Sequence, residues 1–573
     1  QSSSKTYSYF EDELTKQVIN DLMNIKGYTK TQAQNLLYSG GLKIMTTQDP
    51  NIQNIVDEEY SDPSNYPDYV QYALDYALTV KQPDGQEVNY SKEMMKLYFQ
   101  NEDPSFDLLF DSQDEGQTYV DRYKANILAD GSTVVAERVS FAPQPQSAMT
   151  IIDQHTGYVK AIIGGRGTKT ASLTLNRATD STRQPGSTFK IVSTYAAALN
   201  EKGMTLATTY EDQPITYDNG APVNNASGSF NGTTTIRTAI RNSVNTVAVQ
   251  CFEDVTPELG LKYLDNFGFT TLAHGTEADT DANGNVYTDA NLPTALGGLT
   301  YGVKNVELCA AYAAIANGGN YIKPVYYTKI LDHNGNVLIE NNSVGRSVIK
   351  ETTAYLLTSA LEDVVQNGTG TACQLDNMAV AGKTGTTDAY NDLWFVGYTP
   401  YYTCAVWSGY DGNQKIPEGD ARNFHKTLWR KVMNRIHQGM EYKDFEVPDG
   451  IEQISICADT GLLPRVGCPV TEEYFDVGTM PTEYCDQHFY EYDESQDEDM
   501  EIYDVNATPT PDPENPDGTD NTDGSGGDGT GGDGTGGDGT GGDGTGGDGT
   551  GGGDIQYPDE SGGDSGNDDI YYY

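Results

Sequence analysis

The sequence predicts an α+β protein in which one sheet is built from both ends of its main domain. Two apolar runs flank residues 153–157 in "SAMTIIDQHTGYVKAIIGG", a pattern typical of a β-hairpin. A block of helical patterns follows. The domain then closes on strand-like segments in "MAVAGKTGTTDAYNDLWFVGYTPYYTCAVWSGYD". Because strands come first, then helices, then strands again, we expect an α+β arrangement rather than a parallel doubly wound sheet.

Two regions are predicted ahead of this domain. Residues 1–40 show helical spacing of apolar residues in "FEDELTKQVINDLM" and a capped pattern closed by glycines in "TKTQAQNLLYSGG". Residues 41–146 form a linker region that opens with "GGLKIMTTQDPNIQ", which predicts a short strand, a turn at Asp49 and Pro50, and a helix start. Residues 60–140 are polar and aromatic without a strong period, so we expect a small irregular domain or insertion there.

The main domain is predicted to span residues 147–440. Its helical segments are "RQPGSTFKIVSTYAAALNEKG", "TTIRTAIRNSVNTVAVQCFEDV", the Ala-rich "PTALGGLTYGVKNVELCAAYAAIANGG" and "TTAYLLTSALEDVVQNGTG". A hairpin in "YIKPVYYTKILDHNGNVLIE" turns at Asn334 and Gly335. Ser187 stands at the start of the first of these helices, where its hydroxyl could cap free backbone N–H groups.

The charge balance argues against one large class of partners. The 573 residues include 35 Lys and Arg against 84 Asp and Glu, a formal net charge of −49. Nucleic-acid binding needs basic surface to meet phosphates, so it is excluded as the main function.

The two C-terminal regions differ from the rest in composition. Residues 441–490 form a short Cys-containing module, and residues 491–573 contain acidic residues but no Lys or Arg. This tail repeats the unit Gly-Gly-Asp-Gly-Thr, which costs too much entropy to order, so we expect an acidic disordered spacer. Calcium-binding repeats of β-rolls carry apolar positions, which this repeat lacks.

The seven cysteines are too few for a disulfide scaffold of this size. Four of them lie in apolar contexts and are expected to be buried: Cys251, Cys309, Cys373 and Cys404. The other three cluster late, ahead of a histidine at metal-ligand spacing: Cys457, Cys468, Cys485 and His488. These four are candidate metal ligands. The alternatives are one disulfide plus a free thiol, or three reduced thiols, and no cofactor is predicted.

No run of apolar residues is long enough to span a bilayer, and no signal peptide is recognisable. The chain starts at Gln1 rather than Met, so we expect a processed or truncated product.

Three short motifs carry the chemistry. Ser187 and Lys190 form S-x-x-K, Ser243 and Asn245 form S-x-N, and Lys383 opens the K-T-G of "VAGKTGTTD". Each motif is weak alone, since the first two recur in polar segments near the two ends of the chain. Together, in this order and on elements of suitable type, they are the signature of active-site serine β-lactamases and penicillin-binding proteins.

With these motifs the sequence resembles the transpeptidase domain of class A penicillin-binding proteins, the bacterial cell-wall synthases. The resemblance covers roughly residues 40–415 and is weak over residues 60–140. It rests further on "GGLKIMTTQDPNIQ", "IIDQHTGYVKAIIGG", "LNRATDSTRQPGSTFK" and "ALGGLTYGVKNVELCAAYAAIANGG". It implies an antiparallel sheet flanked by helices, with a helical subdomain. It also implies that residues 1–40 resemble the last helices of an upstream glycosyltransferase domain.

The resemblance implies a role for each motif residue. Ser187 would attack the D-Ala–D-Ala carbonyl of a peptidoglycan stem peptide, and Lys190 would take its proton. Ser243 would relay a proton to the leaving D-Ala, and Lys383 would keep the site positive. The remaining implied roles are the substrate amide for Asn245, the terminal carboxylate for Thr384 and Thr386, close ligand approach for Gly385, and oxyanion-hole N–H groups for Ser187 and Thr386.

The implied partners are donor and amine-acceptor stem peptides, β-lactams as inhibitors, and cell-division or elongation proteins. The implied location is the outer face of the bacterial plasma membrane, with an anchor upstream of this chain. The alternatives are a D,D-carboxypeptidase, a non-catalytic β-lactam sensor, a structural cell-wall protein, and a β-lactamase. A β-lactamase needs a deacylating carboxylate, for which Glu277 and Asp279 are poor candidates because their loop lacks an E-x-x-L-N pattern.

Overall fold

The computed structural model describes residues 6–128, 131–342 and 344–488. The described residues belong to one compact unit. The predicted disordered tail, residues 491–573, lies outside the described residues.

The helices are α1 Tyr9–Lys26, α2 Lys30–Ser39, α3 Pro50–Ser61, α4 Lys92–Gln100, α5 Gln113–Ile127, α6 Ala196–Glu201, α7 Ile236–Asn242, α8 Asn245–Val255, α9 Pro257–Asn266, α10 Asn305–Ala316, α11 Glu351–Asn367 and α12 Phe424–His437. The strands are β1 Lys43–Thr46, β2 Gln71–Lys81, β3 Glu87–Ser91, β4 Leu109–Phe110, β5 Thr133–Gln144, β6 Gln146–Asp153, β7 Tyr158–Ile163, β8 Thr209–Asp212, β9 Ile215–Thr216, β10 Pro222–Val223, β11 Gly232–Thr235, β12 Asn320–Tyr321, β13 Tyr327–Leu331, β14 Val337–Glu340, β15 Arg346–Ser347, β16 Ala381–Thr386, β17 Asp392–Tyr398, β18 Thr403–Gly409, β19 Ile451–Cys457 and β20 Val470–Asp476.

The main sheet has five antiparallel strands in the order β16-β17-β18-β6-β7. Its strands come from both ends of the domain, so the predicted α+β arrangement is confirmed. Every residue of β17 and β18 is buried. Apolar side chains of the two sheet faces join separate cores, one with α10 and α11 and the other with α3 and α12. The sheet is thus covered by helices on both faces.

The helical subdomain lies between β7 and β12 and contains α6 to α9. Its buried side chains join those of α10 and α11 in one continuous apolar core. This core fixes α7 and α8, whose junction carries the S-x-N motif, against the helix that follows Ser187.

The segment between α3 and β6 is a small regular domain, so the expectation of irregular structure was wrong. Its central strand β2 pairs with β3, β4 and β5, and α4 and α5 supply apolar side chains to its own core. Alternate residues of β2 are buried: Leu74, Tyr76, Leu78 and Val80. Buried alternation of this kind defines one inward face of a sheet.

The predicted N-terminal helices are present as α1 and α2. Ser8 and Glu11 form a capping box at the start of α1. The buried face of α1 and α2 packs on the hairpin of β13 and β14, and β1 pairs with β13 in the same sheet. The N-terminal region is therefore part of the fold around the main domain.

The C-terminal module is an antiparallel hairpin of β19 and β20. None of the helices in the described ranges is both long and apolar enough to cross a bilayer.

Candidate active site

Ser187 lies inside a single 3₁₀ turn, residues 186–188. The Tyr312 hydroxyl donates to the Thr188 carbonyl at 2.7 Å, and the Thr188 hydroxyl donates to the Pro185 carbonyl at 2.8 Å. The N-cap position of this turn is Pro185, which has no side-chain cap bond. The predicted helix-cap role of Ser187 is therefore wrong. Its neighbours hold the turn, and Ser187 itself lines a cleft.

The helix after Ser187 departs from the regular α-helix that its sequence predicts. Residues Lys190–Tyr195 form a π-helical segment, and α6 continues from it. The Ser193 hydroxyl donates to the Phe189 carbonyl at 2.8 Å, which competes with the regular backbone ladder. π-Helical turns inside α-helices are frequent at functional sites. Here the segment begins at Lys190, whose side chain is completely buried.

Ser243 sits at the junction of α7 and α8 in a left-handed conformation, with φ of 57° and ψ of 43°. A non-glycine residue held there costs about 1–3 kcal/mol, which surrounding contacts must offset. The Asn225 side-chain oxygen accepts from the Asn245 and Thr246 N–H groups at 2.9 and 3.3 Å. The predicted break between two helical stretches is confirmed, and a buried polar network fixes it.

The K-T-G motif lies on β16, the edge strand of the main sheet. Gly385 was expected to let a ligand come close. The structure shows its close neighbour to be the nucleophile turn: a Cβ on Gly385 would lie 2.6 Å from the Pro185 carbonyl oxygen and 2.8 Å from the Thr188 methyl carbon. Glycine is needed here so that β16 can pack directly on the turn that carries Ser187.

The same close approach occurs at Gly186, which has a φ of +54°. A Cβ on Gly186 would lie 2.8 Å from the Thr386 carbonyl oxygen and 3.0 Å from its nitrogen. The backbone next to Ser187 therefore touches the backbone of Thr386. This contact places together the two residues predicted to supply the oxyanion-hole N–H groups.

Two buried lysines converge on Ser243. Lys383 donates to the Ser243 hydroxyl at 2.9 Å, and Lys190 donates to that hydroxyl at 3.2 Å and to the Ser243 carbonyl at 2.7 Å. Lys190 also donates to the side-chain oxygen of Asn245. Within the described ranges no hydrogen bond joins Lys190 to Ser187. The three motifs are thus linked through Ser243, with Ser187 beside them on the cleft wall.

Burial changes the acid–base behaviour of both lysines. Burial, and after it the positive charge of Lys383, holds the pKa of Lys190 well below its usual value. Burial alone lowers the pKa of Lys383 to about 7. Two ammonium groups this close in an apolar site oppose each other's protonation. Lys190 is therefore the lysine of the pair that gives up its proton more readily.

The cleft has a volume of about 550 Å³. Five of the predicted site residues line it: Ser187, Ser243, Asn245, Thr384 and Thr386. The lysines lie beneath its floor, since both are fully buried. Its wall also carries Tyr217, Asn224 and Thr387, and the one carboxylate among its described lining residues is that of Asp388. Neither Glu277 nor Asp279 lines it.

The prediction from sequence motifs did not include the residues that support the wall of the cleft. The Thr369 hydroxyl bonds the Thr384 hydroxyl at 2.7 Å, which fixes a group predicted to bind a carboxylate. Asp212 accepts from Asn225 and Thr246, each at 2.6 Å, and so anchors the network under Asn245. Asp212 and Asn225 are buried polar residues outside any motif spacing. Their neighbours Glu211, Gln213 and Asn224 are polar as well, so no local pattern in the sequence distinguished them.

The fourth predicted set lies in the C-terminal module and lines no part of the described cleft wall. Cys457, Cys468, Cys485 and His488 bring their ligand atoms within 4.8 Å of one another. The other four cysteines, Cys251, Cys309, Cys373 and Cys404, are buried and free, as predicted.

Comparisons with known families and proteins agree with these motifs. The family model of the penicillin binding protein transpeptidase domain matches residues 147–434. That of the penicillin-binding protein 1A C-terminal domain matches residues 447–490. Penicillin-binding protein 1A of Clostridium tetani is 30% identical over 85% of this chain and 54% of its own length. That of Clostridium perfringens is 29% identical over 85% and 52%. The chain thus spans about half the length of these curated relatives.

Solved structures share the fold. Penicillin-binding protein 1A of Haemophilus influenzae aligns with a TM-score of 0.58 at 21% identity, over 85% of this chain and 79% of that one. The PonA1 protein of Mycobacterium tuberculosis, solved with penicillin V, aligns with a TM-score of 0.54 at 22% identity, over 76% and 96%. At this level of identity they show a shared architecture.

Proposed function

The chain belongs to the penicillin-binding protein transpeptidase family, and from this premise we propose that it is a serine D,D-transpeptidase acting on peptidoglycan stem peptides. One observation carries the proposal. Two buried lysines surround Ser243 beside Ser187, and the pKa of Lys190 is well below its usual value. A neutral amine next to a serine hydroxyl is a base that can generate a serine nucleophile.

In the proposed acylation, Lys190 takes the Ser187 proton while the Ser187 oxygen attacks the carbonyl between the two D-Ala residues. In the structure Lys190 is bonded to Ser243 and Asn245, so it must turn toward Ser187 when substrate arrives. Catalytic hydrogen bonds are often completed only in the substrate complex. The negative charge on the carbonyl oxygen would be met by the Ser187 and Thr386 N–H groups.

Collapse of this intermediate breaks the C–N bond and leaves an ester on Ser187. The proton held by Lys190 passes through the Ser243 hydroxyl to the nitrogen of the departing D-Ala. An amine of a second stem peptide then attacks the ester, loses its proton by the same route in reverse, and restores the Ser187 hydroxyl. The hydrogen bonds from both lysines to Ser243 support this relay.

The terminal carboxylate of the donor is proposed to bind at Thr384 and Thr386 above Lys383. Thr384 is pre-oriented by Thr369. A bound carboxylate favours the charged form of a lysine nearby, so substrate binding would raise the pKa of Lys383 from about 7. Asn245 would hold the peptide amide after Lys190 releases its side chain. The same contacts would hold the carboxylate of a β-lactam.

The decisive experiment uses a fluorescent penicillin. Ser187→Ala should lose the covalent adduct, while Ser61→Ala, a matched change of an exposed serine, should keep it. A lasting adduct supports an acyl-enzyme on Ser187, and release within seconds would favour a β-lactamase. Labelling that survives Ser187→Ala would refute the assignment.

Incubation with stem peptide and an amine acceptor separates transfer from hydrolysis. Crosslinked product supports a transpeptidase. Free D-Ala without crosslinked product would mean a carboxypeptidase, and a stable adduct with neither product would mean a sensor.

The β-lactamase alternative has little structural support. Asp279 accepts from the His274 and Thr276 N–H groups at 3.0 and 3.1 Å. Its carboxylate is therefore occupied in holding its own loop.

The location on the outer face of the membrane and the partners in division or elongation stay predictions. Peptidoglycan lies outside the membrane, so a stem-peptide substrate supports that side.

A further inference from the structure

The C-terminal module contains a compact set of metal-ligating side chains that the transpeptidase mechanism does not use. We propose that Cys457, Cys468, Cys485 and His488 bind one structural Zn²⁺ ion. The four ligand atoms lie within 4.8 Å of one another, and Cys457 and Cys485 are fully buried. Three thiolates and one imidazole form a closed ligand set of the kind that structural zinc sites use.

The distances fit a tetrahedral zinc ion. With Zn–S bonds of about 2.3 Å and Zn–N bonds of about 2.0–2.1 Å, a sulfur and a nitrogen ligand lie about 3.5 Å apart. The His488 Nδ1 atom is 3.5 Å from the Cys457 sulfur and 3.3 Å from the Cys485 sulfur. The ring nitrogen therefore already has the spacing that a shared metal ion imposes.

Groups outside the ligand set have the arrangement that supports zinc ligands. The other ring nitrogen of His488, Nε2, lies 3.2 Å from an oxygen of Asp459. A carboxylate in this place fixes the tautomer and orientation of a metal-bound histidine. The backbone N–H of Arg465 donates to the Cys468 sulfur at 3.2 Å. Both contacts leave Nδ1 and the sulfurs free to point at the centre of the cluster.

The four ligands come from three separate segments of the module. Cys457 ends β19, Cys468 stands just before β20, and Cys485 and His488 lie in the final segment, which bridges back through Leu463 and Tyr484. Among the described residues, the apolar core beneath this hairpin has three buried members, Ala207 of the main domain with Ile456 and Phe475 of the module. A core this small needs an additional cross-link for stability, and a bound metal ion supplies one. The zinc ion would tie the three segments together.

The competing interpretation is a disulfide between two of the cysteines. It leaves one thiol without a role and gives none to the histidine and carboxylate at the same point. All seven cysteines are free in the structure. Of the first-row metals that soft thiolates select, zinc is the one expected for a tetrahedral site with three sulfurs and one nitrogen.

The test measures metal content in the full chain purified without chelator. We expect about one zinc ion per chain by elemental mass spectrometry. Cys485→Ser should lose the ion, and Cys373→Ser, which changes a buried cysteine of the main domain, should keep it. Replacement of zinc by Co²⁺ should give thiolate-to-cobalt charge-transfer bands and the intense d–d bands of tetrahedral coordination. Octahedral cobalt spectra, or zinc retained by Cys485→Ser, would overturn the site.

A second variant keeps the proposal testable if Cys485→Ser does not fold. Asp459 is more than half exposed, so Asp459→Asn should fold normally. We expect it to weaken zinc affinity by about 10–100-fold in competition with a chromophoric chelator. Unchanged affinity would refute the supporting role of Asp459. A zinc-free protein whose intact mass is lower by two hydrogens would establish the disulfide instead.

Discussion

The active-site cleft and the C-terminal module are both recognisable from short sequence motifs, but different interactions bring their residues together. The cleft residues are carried on helices and strands whose apolar side chains form two large buried cores. The small core of the module consists of its buried Ile456 and Phe475 packed on Ala207 of the main domain, and its metal-ligating side chains come from three segments. In the cleft, apolar packing of the fold places the reactive side chains. In the module, we infer that metal binding holds the segments in place.

This difference separates two kinds of substitution. Replacing a motif residue of the cleft should change reactivity and leave the domain folded. Replacing a ligand of the module should change stability and leave the reacting groups in place. Several contacts join the module to the main domain, and one of them leads to the S-x-N motif: Arg237 on α7 forms a two-bond ion pair with Glu473 on β20, with both bonds at 2.6 Å. Because Ser243 directly follows α7, damage to the module can reach the cleft by this path.

The strongest test of the comparison is Lys190→Met. Loss of the base should slow acylation of Ser187 by penicillin by about 10²–10⁴-fold, the usual contribution of general base catalysis. Stability should not fall, because the variant removes a buried amine whose desolvation opposes folding. Stopped-flow labelling and thermal unfolding measure the two effects. A large fall in unfolding temperature together with lost labelling would show that the cleft residues also hold the fold.

The ion pair between the regions provides the next test. Arg237→Ala would leave Glu473, which is 4% exposed in its side chain, without its charge partner. Breaking a buried pair on one side costs about 3–5 kcal/mol. Chemical denaturation should therefore show a large loss of stability for Arg237→Ala.

The double variant Arg237→Met with Glu473→Leu is the matched control for that loss. It removes both charges and should recover most of the stability, because no unpaired buried charge is left. If Arg237→Ala lost labelling of Ser187 but no stability, the pair would act on α7 alone, and the proposed link to the module would be wrong.

The sequence correctly predicted those parts of the molecule that depend on short-range patterns and spacing of residues. The hairpin of β6 and β7, the two N-terminal helices and the three motifs follow from such patterns. It did not reveal the π-helical start at Lys190, because apolar periodicity over one or two turns does not distinguish a π-helix from a regular α-helix. It also missed β2, although Leu74, Tyr76, Leu78 and Val80 alternate with polar or small residues. Tyrosines at inward positions made that face look polar.

The cleft was predicted less completely than its motifs suggest. Ser187, Ser243 and Lys383 were identified, yet the hydrogen bonds of the described residues join the two lysines to Ser243, and none joins Lys190 to Ser187. Thr369 and Asp212 were missed because their partners are distant in sequence. The Cys-His set was identified from spacing, and the three-segment origin of its ligands could not be read from spacing alone.

The pH dependence of acylation tests whether burial sets the charges of the cleft. Since kcat/KM reports the free enzyme, acylation should decline at alkaline pH with a limb near pH 7, where Lys383 loses its proton. Acylation should decline rather than rise with increasing pH, because only the protonated form of Lys383 attracts the carboxylate of penicillin. Lys383→Arg keeps a positive charge and should shift the limb to higher pH. An unchanged limb in Lys383→Arg would assign it to another group.

The smallest expected effect concerns Thr369, which lines the cleft beside Thr384. Thr369→Val keeps the shape and removes the hydroxyl that bonds Thr384 at 2.7 Å. One neutral hydrogen bond contributes about 0.5–1.5 kcal/mol, so penicillin binding should weaken by roughly 2–10-fold while the rate of the chemical step stays the same. The exposed Thr371, changed to Val in the same way, should alter neither quantity. A reduced chemical rate in Thr369→Val would mean that Thr384 acts on the reacting bond itself, and the carboxylate role assigned to it would have to be revised.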